Sequence, residues 1–259
     1  MLTRKVGLLN VPVIGLGTYD LLEYDMKTII QECVFRGVNF LDSANRYDNE
    51  LQLGQAIKKV GLNRSDIIMG TKLSYNQQIT QTVAMSVDES LKKLQMDYID
   101  LYLIHSPKSR TYCKDWLELQ NEKEKGKIRE LGVSNFSINQ LKELYNVSGK
   151  YPVINQIEVN LAHFPYEVIE FCHLNDIVVQ ASCPLRRMDM EIIREESVQQ
   201  LMERYDKTYP QIVLRWLFQK GIISIPKMSS TEHLLENIDI FDFALSEKEL
   251  QIYSGLQKG

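Results

Sequence analysis

Four side chains of complementary chemistry stand at the ends of apolar runs. Asp42 sits near the end of "NFLDSA" (39–44), Tyr47 follows five residues later, Lys72 comes near the end of "IIMGTKL" (67–73), and His105 ends "IDLYLIH" (99–105). An Asp, a Tyr, a Lys and a His converging on one face have a definite use. Delivering a hydride to a carbonyl leaves negative charge on its oxygen, and a proton must arrive as that charge develops. A tyrosine hydroxyl can donate it, although its ordinary pKa of about 10 makes it a sluggish acid near neutral pH. A neighbouring lysine ammonium favours the phenolate, an aspartate keeps that ammonium charged and in place, and a histidine can hold the carbonyl oxygen. Tyr47 is the expected acid. Any one of these residues alone would read as a turn, cap or core residue.

Such convergence needs elements that end side by side. Eight short runs rich in β-branched residues recur: "VIGLGTY" (13–19), "NFLDSA", "IIMGTKL", "IDLYLIH", "IRELGVS" (128–134), "VINQIEV" (153–159), "IVVQASC" (177–183) and "IISIPK" (222–227). Between them apolar residues fall near helical spacing, as in Met26, Ile29, Ile30, Cys33 and Val34, or Val83, Val87, Leu91 and Leu94. Nearly continuous apolar strands alternating with helices predict a parallel sheet covered on both faces. Eight units make a closed (β/α)8 TIM barrel the leading α/β architecture, ahead of an open doubly wound sheet. In a barrel the active site lies at the carboxyl ends of the strands, where these polar residues stand. Asn49 is expected to cap a helix opening at Glu50, with Gln52 reaching back, and Gly37, Gly126 and Gly221 to end helices. "GLGTYD" (15–20) lacks the third glycine of a dinucleotide fingerprint and reads as a tight strand end.

The chain's 259 residues, 44% of them hydrophobic, suffice for one large core, and nothing divides residues 1–259 into more than one domain. A net charge of −4 without single-sign blocks predicts no nucleic-acid partner. The four cysteines, Cys33, Cys113, Cys172 and Cys183, form no CxxC pair, so neither a disulfide framework nor a metal site is expected, and a cytoplasmic location is. The interrupted N-terminal apolar run predicts no signal peptide, and no membrane span is expected.

The ordered motifs "LDSANRYDNE", "TKL" (71–73), "YLIHSP" (102–107), "GKIRELGVSNF" (126–136), "INQIEVN" (154–160), "PQIVLRWLFQKG" (210–221), "IPK" (225–227) and "EN" (236–237) resemble those of the aldo-keto reductases and cover almost the whole chain. The resemblance implies a (β/α)8 barrel binding a nicotinamide cofactor without a Rossmann fold. It implies a catalytic tetrad of Asp42, Tyr47, Lys72 and His105, with Ser134, Asn135 and Gln156 holding the carboxamide. Cys183, Leu185, Lys227, His233 and Asn237 complete the implied cofactor contacts.

Two departures from the family pattern stand out. Where the family has an aromatic residue in "AYSPL" to stack on the nicotinamide, this chain reads "ASCPL", with Ser182 and Cys183; losing that contact would cost roughly 1 kcal/mol of affinity. Its NADPH-using members follow the "IPK" lysine with a serine and place an arginine six residues on, whereas here Met228 and His233 follow Lys227. Histidine is no substitute for a permanently charged bidentate fork. Ser229, Ser230 and Thr231 precede a short helix and could supply donors to an anion, so NADP(H) is favoured over NAD(H). The short "SPKSRTY" loop after His105 predicts an open pocket for a small carbonyl substrate.

The expected activity is reduction of an aldehyde or ketone to an alcohol, with oligomeric state left open. A non-catalytic barrel that binds the cofactor as a sensor or regulatory subunit is the alternative, and a lyase or isomerase without nicotinamide is a third possibility.

Overall fold

The computed structural model describes residues 1–21 and 26–255. Eight parallel strands form one sheet in sequence order: β3 (Leu16–Gly17), β4 (Phe40–Asp42), β5 (Ile68–Leu73), β6 (Ile99–Ile104), β7 (Ile128–Ser134), β8 (Ile154–Glu158), β9 (Val178–Ser182) and β10 (Ile223–Ser224). They follow a hairpin of β1 (Thr3–Val6) and β2 (Leu9–Pro12). Each barrel strand lies within one of the eight apolar runs. Parallel bridges from Ile14 to Ser224 and from Gly17 to Lys227 join the first strand region to the last, closing a (β/α)8 barrel. Gly17 is required at that seam, because a Cβ there would stand 2.6 Å from the Ile225 carbonyl oxygen.

The strands are apolar on both faces because each face meets a different core. Phe40, Leu101, Leu103, Ile154, Ile223 and Ile225 fill the barrel interior with Val6, Leu9 and Val11 of the hairpin. Outward-facing residues such as Leu41, Met69, Tyr102 and Val133 pack with the surrounding helices in the larger cluster. The hairpin turns at Gly7, whose φ is +57°, and the Leu8 amide donates to Glu130 Oε1 at 2.7 Å, tying the turn to β7. Sequence periodicity did not announce this hairpin, since "TRKVGLLNVP" carries no clear alternation.

Gly37, Gly126 and Gly221 follow helix ends with φ of +80°, +80° and +72°, as expected. The expected Asn49 cap is different. Asn49 precedes the helix Glu50–Val60, but its side chain makes no capping bond. Its amide nitrogen donates to the Thr18 carbonyl and its oxygen accepts from Ser43 Oγ, both at 2.7 Å. Asn49 is fully buried between two strand-end loops, whose polar groups would otherwise lack partners, and these outcompete the helix amides. Glu50 Oε1 accepts from Thr71 Oγ1 at 2.7 Å. The segment carrying Tyr47 is thereby fastened to the ends of β3, β4 and β5.

No helix among the described residues is long and apolar enough to cross a membrane.

Candidate active site

Asp42 is the last residue of β4 and Lys72 the penultimate residue of the neighbouring β5, so their side chains meet inside the barrel mouth. Lys72 Nζ donates to Asp42 Oδ2 and to the Ser43 carbonyl, each at 2.6 Å, and both side chains are almost wholly buried. Gln156 Nε2 donates to Asp42 Oδ1 at 2.9 Å. Both carboxylate oxygens are therefore held. Burial pushes the Asp42 carboxyl up and Lys72 opposes it; burial also pushes the Lys72 ammonium down, but Asp42 and Tyr47 outweigh this and hold it above its ordinary value.

An ammonium has three hydrogens, and Asp42 and Ser43 take two. The centroid of the Tyr47 ring lies 5.0 Å from Nζ. Tyr47 ends the short 3-10 turn Asn45–Tyr47, with its ring edge-on to Tyr19 at 5.0 Å and to His105 at 5.8 Å. Lys72 lowers the Tyr47 pKa as expected, but not by enough to make the phenol a stronger acid than usual. Burial raises it and prevails over the lowering by Lys72, so the phenol stays protonated near neutral pH.

His105 follows β6, its backbone amide donating to the Leu73 carbonyl at 3.0 Å. Burial, then the charges of Lys72 and Arg46, push its imidazole down to about 3, so the ring is neutral. Nδ1 is buried with no partner among the described residues. A buried N–H without an acceptor is the costlier orphan, which favours the proton on Nε2 and makes that nitrogen a donor.

Ser134 ends β7 and is buried beside Asn135, which adopts a φ of +64°. Asn135 Nδ2 donates to Ser134 Oγ at 3.0 Å and to the His105 carbonyl at 3.3 Å. Gln156, on β8, also donates through Nε2 to Gln180 Oε1 at 3.1 Å. With both amide hydrogens engaged, its carbonyl oxygen is the group left for a donor. Gln180, on β9, was missed from sequence; its Nε2 is buried without a partner among the described residues. A lone polar residue inside "IVVQASC" was the available signal. Ser182 ends β9, Cys183 is exposed with a φ of +49°, and Leu185 packs half-buried against the outer core.

The other expected cofactor residues follow β10 at the β3–β10 seam. Lys227 bridges Gly17 and its Nζ forms an ion pair with Asp20 at 2.9 Å. Met228 is fully buried, which explains an apolar residue where a serine is usual. Ser230 caps the helix Thr231–Ile238, Ser229 Oγ lies 3.0 Å from the Nδ1 of exposed His233, and Asn237 is buried on the same helix.

A cleft of about 810 Å³ opens beside His105, lined also by Asn135, Asn45, Arg46 and Ser74.

A family model described as the aldo/keto reductase family matches residues 13–187 and 191–258. The chain is 33% identical over 250 residues to a glyoxal reductase of Bacillus subtilis (strain 168), covering 96% of this chain and 90% of that one. It is 34% identical over 254 residues to the methylglyoxal reductase DkgA of Escherichia coli (strain K12), with the same coverage of 96% and 90%. Among solved structures, an aldo/keto reductase from Brucella melitensis superposes with a TM-score of 0.86 at 32% identity, covering 98% of this chain and 99% of that one. A Bombyx mori aldo-keto reductase in complex with NADP does so with a TM-score of 0.85 at 30% identity, covering 96% and 90%.

Proposed function

The chain belongs to the aldo/keto reductase family, whose NAD(P)H-dependent members reduce carbonyl compounds, and from that premise we propose that Tyr47 is the proton donor of its reaction. The observation that carries this reading is the buried Lys72 ammonium, fixed by Asp42 and Ser43 beneath a protonated phenol and beside a neutral imidazole.

A bound nicotinamide cofactor supplies the hydride. The Tyr47 hydroxyl and the Nε2–H of His105 bind the substrate carbonyl oxygen, orienting it and withdrawing charge from its carbon. As negative charge develops on that oxygen, Tyr47 gives up its proton, and Lys72 stabilises the phenolate left behind. Asp42 keeps Lys72 charged in a site where burial works against it. These steps use a high-pKa phenol well, since an alkoxide takes its proton readily while water does not.

The residues on β7, just after it and on β8 fit the cofactor's carboxamide: the Ser134 hydroxyl offers a donor, and the side-chain oxygens of Asn135 and Gln156 offer acceptors. Cys183 and Leu185 would line the stretch after β9. Lys227, His233 and the hydroxyls of Ser229 and Ser230, with Asn237 behind them, suit the extra phosphate of NADP(H), which we favour over NAD(H). Asp20 competes for Lys227 and makes that preference modest.

The relatives named glyoxal and methylglyoxal reductases, and the short loop after His105, support a small aldehyde or ketone as substrate. Cys33, Cys113, Cys172 and Cys183 as free thiols suit a cytoplasmic location. A regulatory barrel is less well supported, because binding a cofactor gives no use to a buried Asp–Lys pair under a phenol.

Calorimetric titration with NADPH and with NADH tests the cofactor reading. Tryptophan quenching is a poor reporter, since Trp116 and Trp216 are buried among the outer helices. NADPH is expected to bind several-fold tighter; binding of neither would overturn the reductase reading, and tighter NADH binding would overturn the phosphate assignment.

A further inference from the structure

Behind the barrel wall, where β5 and β6 meet the helices Glu50–Val60 and Val83–Leu94, lies a buried polar cluster that the proposed chemistry does not use. Glu50 and Thr71 are 1% and 0% exposed, and Glu50 Oε1 accepts from Thr71 Oγ1 at 2.7 Å. Thr71 stands in register with Tyr102 of β6, and Ser90 belongs to the second helix; both Tyr102 and Ser90 are fully buried. Glu50 Oε2, Ser90 Oγ and the Tyr102 hydroxyl have no hydrogen-bond partner among the described residues. Ser90 and Tyr102 nevertheless lie within electrostatic reach of Glu50.

A helix–sheet contact that served stability alone would be apolar, because a buried carboxyl and unpaired hydroxyls carry a desolvation cost that leucine and valine do not. Such local conflicts are expected where function requires them. The place of this one in the chain says which function. Glu50 opens its helix three residues after Tyr47, and Thr71 immediately precedes Lys72, its side chain on the opposite side of β5. Asn49 holds the same segment to Thr18 and Ser43, beside β3 and β4, neither of which carries Lys72. Among the described residues, the side-chain ties from residues 45–50 to β5 and its end are the Glu50–Thr71 bond and a longer one from Ser74 Oγ to Asn45 Oδ1 at 3.3 Å. The two ties straddle Lys72.

Resting on the reductase reading, we infer that Glu50 and Thr71 are positioning residues: their buried hydrogen bond fixes the Tyr47 turn against the strand that carries Lys72, and so aligns the proton donor with the ammonium. Both act from outside the barrel, away from substrate and cofactor. Burial pushes the Glu50 carboxyl up, but the tie needs only an acceptor oxygen and no charge. Loosening it leaves the binding surfaces in place and disturbs one alignment, so the loss falls on kcat and spares KM.

The test is the double variant Glu50→Leu with Thr71→Val, which removes both partners together and leaves no new unpaired group. It is assayed with NADPH and either methylglyoxal or 4-nitrobenzaldehyde. The kcat should fall roughly tenfold or more, with KM and calorimetric NADPH affinity within about twofold of wild type and Tm equal or higher. Glu50→Gln keeps the acceptor oxygen and should bring kcat back to within about threefold of wild type. An unchanged kcat in the double variant overturns the inference and leaves the reductase reading standing. So does a Glu50→Gln rate as low as that of the double variant, or a fall in kcat matched by falls in Tm and NADPH affinity, which would mark a purely structural contact. Should the double variant not fold, Thr71→Val decides by the same readouts. Wild-type protein that reduces neither aldehyde overturns both readings.

Discussion

Replacing Asp42 by Asn should destabilise the barrel far more than a one-atom change suggests. The Asp42 and Lys72 side chains are 1% and 0% exposed and meet at 2.6 Å, so the pair is shielded from solvent. Asp42 offers two acceptor oxygens to two donors, Lys72 Nζ at 2.6 Å and Gln156 Nε2 at 2.9 Å. Asparagine has one acceptor and adds a donor, so a donor must lose its partner and a buried cation loses its counter-charge. Breaking a buried pair in this way costs about 3–5 kcal/mol, or roughly a 6–20 °C fall in Tm at 2–4 °C per kcal/mol for a chain of this size. Urea unfolding followed by far-UV circular dichroism reads the effect. The lone ammonium's folded pKa should drop below its unfolded value, so the folded variant binds fewer protons and gains stability relative to wild type as pH rises towards about 10. Asp42→Asn with Lys72→Met should recover most of the loss, since no unpaired charge remains. A loss under about 1 kcal/mol, or no recovery in the double variant, would refute the reasoning.

Folding suppresses protonation of His105, whose pKa falls from 6.5 to about 3, so the unfolded chain binds the extra proton between those values. This group's contribution to stability should therefore fall as pH drops through that window, by about 1.4 kcal/mol per unit. His105→Gln should flatten that slope in acid denaturation; an unchanged slope would show that the ring is not buried neutral. Asp20→Asn should remove one competitor for Lys227 and tighten NADPH by up to about fivefold, the limit for an exposed ion pair, while NADH affinity moves little in the same calorimetric titration. Adding His233→Arg should tighten NADPH further by supplying a permanent bidentate cation, and equal gains for NADH would place the contact elsewhere than the phosphate.

The barrel was legible because its strands are covered on both faces, so eight apolar runs stood out against amphipathic helices. The meeting of Asp42, Tyr47, Lys72 and His105 was legible because the barrel dictates that residues at strand ends share one face. What escaped depends on partners distant in the chain. Asn49 looks like a helix cap locally, but the loop ends at Thr18 and Ser43 claim its side chain. The Tyr47 shift balances burial against one charge, and burial cannot be counted from spacing. Asp20 and Lys227 pair across 207 positions, and Gln180 meets Gln156 only where β8 and β9 pair in register.

The most direct test of the central claim is the single-turnover rate of NADPH oxidation by a reducible aldehyde in Tyr47→Phe. The rate should fall roughly 10²–10⁴-fold, the usual contribution of a positioned general acid, with NADPH affinity unchanged. Turnover equal to wild type in that variant, with cofactor bound, would mean that the proton comes from elsewhere.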